Sequence, residues 1–323
     1  QSSFFGFVGK KATIIAKTAN GRMINGGIDH RVLAITKYQL KPTWTKLKDL
    51  TPEHYIPTKM GNNLFPSEYV ALTYSSVKLR GRFQNSADPL KNVDLPKKLD
   101  ERLAELLGVL VADGHVKSSG LIYITKVDEA RKTAIKNLFK DSLGIILNTS
   151  KKGLTISSQN VAGFLAYLGL ADKKTENKSI PLLIRKSPKS VQLAFLKGYL
   201  SCDSTTDDGK IKVHSSSKYI VRQMSIMLLN MGVYNVVDDN FYTHERKLNV
   251  NTGYVQGTMS TLIIPNKDVG YLLGMMGGLA DYTKCFPENS YNRAELRSRW
   301  FNPSDVMPNI WGWNTKTVNE ILG

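Results

Sequence analysis

Apolar residues at helical spacing mark two long stretches of the chain. Leu103, Leu106, Leu107 and Leu110 recur about every 3.6 residues in the first, and Leu193, Leu196 and Leu200 in the second. The two stretches end alike, on Leu106-Leu107-Gly108-Val109-Leu110-Val111-Ala112-Asp113-Gly114 and on Leu196-Lys197-Gly198-Tyr199-Leu200-Ser201-Cys202-Asp203-Ser204. Pro96 to Asp100 read as a linker and helix start, with Asp100 as the N-cap. After each helix the period shortens to that of a strand, at 121–125 and at 210–214. A helix follows over 128–142, with Ala130, Ala134, Leu138 and Phe139 on one face, and its counterpart over 217–231. Hairpins are expected over 145–158, turning at 151–153, and over 233–264, turning near 246–253. Short helices at 160–168 and 267–276 complete the order αββαββα in both units.

A second echo supports duplication. Gly169-Leu170-Ala171-Asp172 precedes Lys178-Ser179-Ile180-Pro181, and Gly278-Leu279-Ala280-Asp281 precedes Lys284-Cys285-Phe286-Pro287. Upstream, 1–95 alternate in short segments broken by Asn20-Gly21, Asn25-Gly26-Gly27 and Gly61-Asn62-Asn63, the signature of a β-rich region. The expected division is a β domain over 1–95, one half over 96–190, a second over 191–290 and a tail over 291–323.

Charge changes the picture more than composition does. Among 323 residues, 44 Lys and Arg face 27 Asp and Glu, a net charge of +17, which favours a polyanionic partner. Hydrophobic content of 41% and a mean hydropathy of −0.24 are ordinary for a globular chain. No apolar run approaches the roughly 20 residues of a bilayer span, and no signal-peptide pattern opens the chain. Two cysteines, Cys202 and Cys285, make neither a disulfide framework nor a zinc site, so an intracellular, reducing setting is expected.

The repeated stretch carries the candidate chemistry. A glycine inside a helix costs about 1 kcal/mol relative to alanine, so Gly108 and Gly198 point to a close approach of two helix backbones. Asp113 and Asp203 would then lie side by side at two helix C-termini, facing the negative ends of the dipoles and each other. A divalent cation relieves that repulsion, and hard oxygen donors suit Mg²⁺.

Both stretches resemble the LAGLIDADG motif of homing endonucleases in the two-motif, single-chain form found in inteins. The first matches well; the second departs at Lys197 and Ser204. The resemblance implies an α+β fold of two pseudo-symmetric αββαββα halves sharing a central two-helix interface. It also implies a monomer that binds double-stranded DNA and cuts it with Mg²⁺, a site Mn²⁺ or Ca²⁺ can also occupy. Asp113 and Asp203 take the place of the family's metal ligands, Lys178 that of its active-site lysine, and Lys284 is the symmetry-related candidate. Sequence would be read from the sheet faces. The alternating polar positions are Asn148, Ser150, Lys152, Thr155 and Ser157 in one half, and Asn235, Asp238, Asn240, Tyr254 and Gln256 in the other.

The segment from Gly21 to Leu33, with His30, and that from Trp44 to Ile56 resemble pieces of the Hint-like protein-splicing domain of inteins. Gly27 stands where that domain has threonine, and Glu53-His54 where it has Gly-Asp. With no terminal His-Asn pair, the chain as given is not expected to splice. An RNA maturase, a non-cleaving DNA-binding protein of the same fold and a remnant splicing element are the alternatives.

Overall fold

The computed structural model describes residues 10–36, 42–75, 95–125, 129–150, 153–247 and 254–278. It contains two compact units that divide between Lys59 and Met60. The first is built of short antiparallel strands. Strands β1 (Thr13–Lys17) and β2 (Met23–Gly27) pair with each other, and β3 (Arg31–Thr36) lies between β4 (Thr43–Lys46) and β5 (His54–Tyr55). Among the described residues its buried apolar side chains are Ala34, Ile35 and Leu47.

The second unit mixes helices and strands, and its element order repeats. The first repeat runs α1 (Glu101–Asp113), β6 (Gly114–Val116), β7 (Leu121–Thr125), α2 (Glu129–Leu143), β8 (Asn148–Ser150), β9 (Gly153–Ser157) and α3 (Gln159–Tyr167). A short helix, α4 (Leu182–Arg185), intervenes. The second repeat runs α5 (Lys189–Asp203), β10 (Thr205–Asp207), β11 (Lys210–Ser215), α6 (Lys218–Asn230), β12 (Val236–Lys247), β13 (Tyr254–Ile264) and α7 (Asn266–Met276). The sheets are antiparallel, with orders β6-β7-β9-β8 and β10-β11-β13-β12, so each repeat pairs its strands in the same sequence. Strands β6 and β10, three residues each, follow their helices directly in the first repeat and after one residue, Ser204, in the second.

Helices α1 and α5 form the centre. Asp100 caps α1, its carboxylate accepting from Leu103 N at 3.0 Å. Both helices bury nearly every side chain past their first turns, including Leu103, Leu106, Leu107 and Leu110 in α1 and Phe195, Leu196, Tyr199 and Leu200 in α5. The glycines set their separation. A Cβ at Gly108 would stand 2.3 Å from the Phe195 carbonyl oxygen, and one at Gly198 would stand 2.1 Å from that of Glu105. Both contacts are with backbone, which cannot rotate away.

Each sheet turns one apolar face to this core. Ile122, Ile124, Leu154 and Ile156 are buried in one, and Ile211, Val213, Leu262 and Ile264 in the other. Alternation leaves Tyr123 and Thr155, and Lys210, Lys212 and His214, half-buried on the opposite faces.

Residues 60–75 belong to this second unit and run along it as a strap. At one end Gly61 N and Asn63 N donate to the carbonyls of Leu229 and Asn230. The Asn230 side chain returns two hydrogen bonds to the backbone of Leu64. Midway, Tyr69 Oη donates to Glu101 Oε1 (2.7 Å), which also accepts from Ser190 Oγ (2.5 Å), tying the strap to the first turns of α1 and α5. At the other end the Tyr74 ring lies 5.6 Å from Phe164 and 5.7 Å from Tyr167, both on α3. The stretch Pro96 to Asp100, expected as a linker, is packed structure. Lys98 bridges Ala71, and Leu99 is fully buried.

Helix propensity alone favours Gly198→Ala by about 1 kcal/mol. Here the substitution is expected to destabilise the chain, because forced overpacking costs about 1–3 kcal/mol. A lowered urea midpoint relative to wild type is the expected result.

Candidate active site

The two aspartates that end α1 and α5 are each held by a buried donor. Arg131, in the first turn of α2, places Nη2 3.3 Å from Asp113 Oδ2, with the two side chains only 3% and 12% exposed. The same nitrogen lies 3.6 Å from Cys202 Sγ, so Arg131 joins the end of α1 to the end of α5. Tyr199 Oη donates to Asp203 Oδ2 at 3.2 Å. Burial, and then the charge and hydrogen bond of Asp203, push the Tyr199 phenol well above its ordinary pKa, so it stays protonated and remains a donor.

Lys178 approaches the same place from the connection between the repeats. Its Nζ donates to the carbonyls of Val111 (2.8 Å) and Gly114 (3.0 Å), where α1 runs out. Unsatisfied carbonyls and the negative dipole end make a helix C-terminus a natural seat for an ammonium. Burial draws the Lys178 pKa below the ordinary lysine value, and the charges of Asp203 and Asp113 oppose that shift.

His115 lines a small cleft with Lys178, Lys173 and Ser179. Its ring sits 4.9 Å from that of Tyr123, its cross-strand neighbour. Burial first, then the charges of Lys178 and Lys117, hold its pKa below the usual histidine value.

Whether a divalent cation suits this donor set can be judged from its chemistry. An ionised carboxylate offers about four lone-pair sites, so a carboxylate that already accepts a hydrogen bond can also ligate a cation. Among the described residues no group of three or more His, Cys, Asp or Glu gathers to hold a metal. An ion on two carboxylates completes its shell with water and substrate oxygens, the habit of Mg²⁺. The set fits such an ion, with the Arg131 charge beside Asp113 the feature least favourable to it.

The positions proposed from sequence as DNA readers divide. The pairing register sets His115, Tyr123, Thr155 and Asn148 in one row across the first sheet. Ser157 is exposed at the end of β9, while Ser150 turns its hydroxyl onto the Gly153 carbonyl of its own hairpin. Asp238 pairs in register with Thr261 and, beyond it, His214. Asn235 is a correction: it is fully buried, and its amide donates to the carbonyls of Ser225 and Val233, so it closes a turn inside the fold. Asn240, Tyr254 and Gln256 lie on the β12–β13 ribbon. Lys152 and Lys284 lie outside the described residues. His30 is exposed in the turn between β2 and β3, its N–H donating to the Gly27 carbonyl.

Sequence reasoning missed Arg131 and the row members His115 and Tyr123. A buried arginine on an amphipathic helix has no signature of its own, whereas the Asp-Gly-His run could have drawn attention to His115.

Known proteins are similar to parts of this chain. An A-type ATP synthase subunit from Pyrococcus abyssi is 29% identical over 230 residues, spanning 68% of this chain and 21% of that protein. The replication factor C small subunit of Methanocaldococcus jannaschii is 30% identical over 141 residues, 42% of this chain and 8% of that one. The chain thus spans about a fifth or less of these relatives. Among solved structures, I-DmoI in complex with DNA and Ca is 19% identical, with a TM-score of 0.41, over 55% of this chain and 90% of that one. Residues 190–271, which hold α5 from its second residue and most of the second repeat, match the family model of the LAGLIDADG-like domain.

Proposed function

We propose that the chain is a site-specific double-strand DNA endonuclease of the two-motif, intein-associated LAGLIDADG type, hydrolysing phosphodiester bonds at a long asymmetric target. The observation that carries the reading is that α1 and α5, packed backbone against backbone at Gly108 and Gly198, end on Asp113 and Asp203, with Lys178 Nζ on the Val111 and Gly114 carbonyls where α1 ends. Two further features support it. The net charge of +17 suits a polyanion. The relatives have unrelated names, and the likeness covers a minor part of each, the pattern of an element inserted into different hosts. On this reading the strands of the first unit are the remainder of a Hint-like domain.

A divalent cation such as Mg²⁺ on Asp113 and Asp203 supplies charge neutralisation at the scissile phosphate and a more acidic water. The chain's own residues do the rest. Arg131 and Tyr199 fix the orientation of the two carboxylates. The Lys178 ammonium, with two of its three donors spent on backbone carbonyls, sets a fixed positive charge where negative charge develops in the transition state. Half-buried polar side chains on the sheet faces meet base edges, and the surrounding lysines meet phosphates.

A second reading, a non-cleaving nucleic-acid-binding protein of the same fold, draws on the Arg131–Asp113 pair, which already balances one carboxylate.

Asp113→Asn and Asp203→Asn are each expected to abolish cleavage of a randomised duplex library in Mg²⁺ while leaving duplex affinity unchanged. Cleavage that persists in both variants, or in EDTA, would remove the metal-site assignment. Ligands that bind only the native state raise its stability. Ca²⁺ is therefore expected to raise the thermal midpoint of wild type but not of the Asp113→Asn, Asp203→Asn double variant. An unresponsive wild type that still binds duplex tightly selects the second reading.

A further inference from the structure

Lys178 is held from two directions. Its ammonium is fixed to the carbonyls that end α1, in the first repeat. Its main chain is gripped by α6, in the second. The Lys178 carbonyl accepts from Ser217 Oγ at 2.5 Å, and Ile180 N donates to Gln223 Oε1 at 2.8 Å. Ile180 itself is buried, which pins the segment just past the lysine.

The Ser217 hydroxyl has little freedom. Ser217 is fully buried and caps α6, its Oγ accepting from Ile220 N (3.4 Å) while its own N–H donates to Ser215 Oγ (3.1 Å). With Ile220 donating to it, the hydroxyl directs its one proton at the Lys178 carbonyl. The N-terminus of α6 thus carries a rigid donor, and its next turns an amide acceptor, spaced to hold three residues of the connecting chain.

We propose that Ser217 and Gln223 are positioning residues for Lys178. They fix its backbone so that the ammonium spans from the second repeat to the end of α1, and the group beside Asp113 is complete only when the second repeat is docked. The proposal rests on reading Lys178 as part of the site, and its test separates the two.

Gln223→Met keeps the volume and removes the acceptor; Ser217→Ala removes the donor. Gln223→Glu and Ser217→Thr keep the hydrogen-bonding oxygen and serve as the rescuing substitutions. Trace labelling of the full chain with acetic anhydride, read residue by residue by mass spectrometry, reports the accessibility of each amine without reference to activity. In Gln223→Met and Ser217→Ala, Lys178 is expected to label about fivefold faster than in wild type, the ratio set by one net hydrogen bond. Exposed Lys140 is expected to label as in wild type, and the rescuing variants to return Lys178 toward it. Single-turnover cleavage of a bound duplex is expected to slow in parallel, at unchanged affinity. Unchanged Lys178 labelling in both disruptive variants, each with a native thermal transition, overturns the positioning role. If labelling responds as expected but wild type cuts no DNA, the positioning role stands and the endonuclease reading falls.

Discussion

Everything in the second unit depends on how closely α1 and α5 approach. With backbone oxygens standing where a Cβ at Gly108 or Gly198 would need to be, the helices pack main chain against main chain over their central turns. Dispersion and burial favour that contact, and no larger residue could be accommodated there. The consequence lies at the helix ends. Two helices this close deliver their final residues to one neighbourhood, and those residues are Asp113 and Asp203. The concentration of negative charge there, with both helix dipoles added to it, is unfavourable alone. The fold answers it with Arg131, Lys178 and the Tyr199 phenol. The shape of the interface thus sets the electrostatics of the site.

Much of this was legible in the residues. The spacing of leucines located α1 and α5, the glycines announced their contact, and alternation located β7, β9 and β11. The repeated element order could be read because each element is long enough to show its period. Strands β6 and β10 could not be read that way, since three residues carry no recognisable alternation and lie hard against the end of a helix. Arg131 was hidden because its partner lies across the fold. Asn235 misled because a polar residue among alternating ones has the same appearance whether it faces solvent or satisfies carbonyls inside. The packing of Leu99 was concealed by the neighbouring proline and lysines, whose composition suggests an exposed linker.

The two aspartates are held differently. Asp113 is paired with a guanidinium and Asp203 accepts from a neutral phenol. An ion pair with both side chains nearly buried is worth keeping chiefly because breaking it strands a charge, whereas a phenol orients a carboxylate without neutralising it. Lys178, whose pKa burial lowers and the charges of both aspartates raise, is fixed to the carbonyls at the end of α1. An arginine meets the aspartate of one repeat and a tyrosine that of the other, in keeping with a sequence whose two motif copies differ at several positions.

The strap of residues 60–75 has a consequence for the order in which the chain assembles. Leu64 and Asn230 are 166 positions apart, and their pairing closes one of the longest loops in the unit. Such closures are slow, and they follow contacts that are local in the chain. During synthesis the strap leaves the ribosome well before the helix it docks on, and domains acquire structure as they emerge. Tyr74 can settle once α3 exists, whereas Gly61 to Leu64 must wait for the end of α6. The two repeats are thus fastened last by a segment made first.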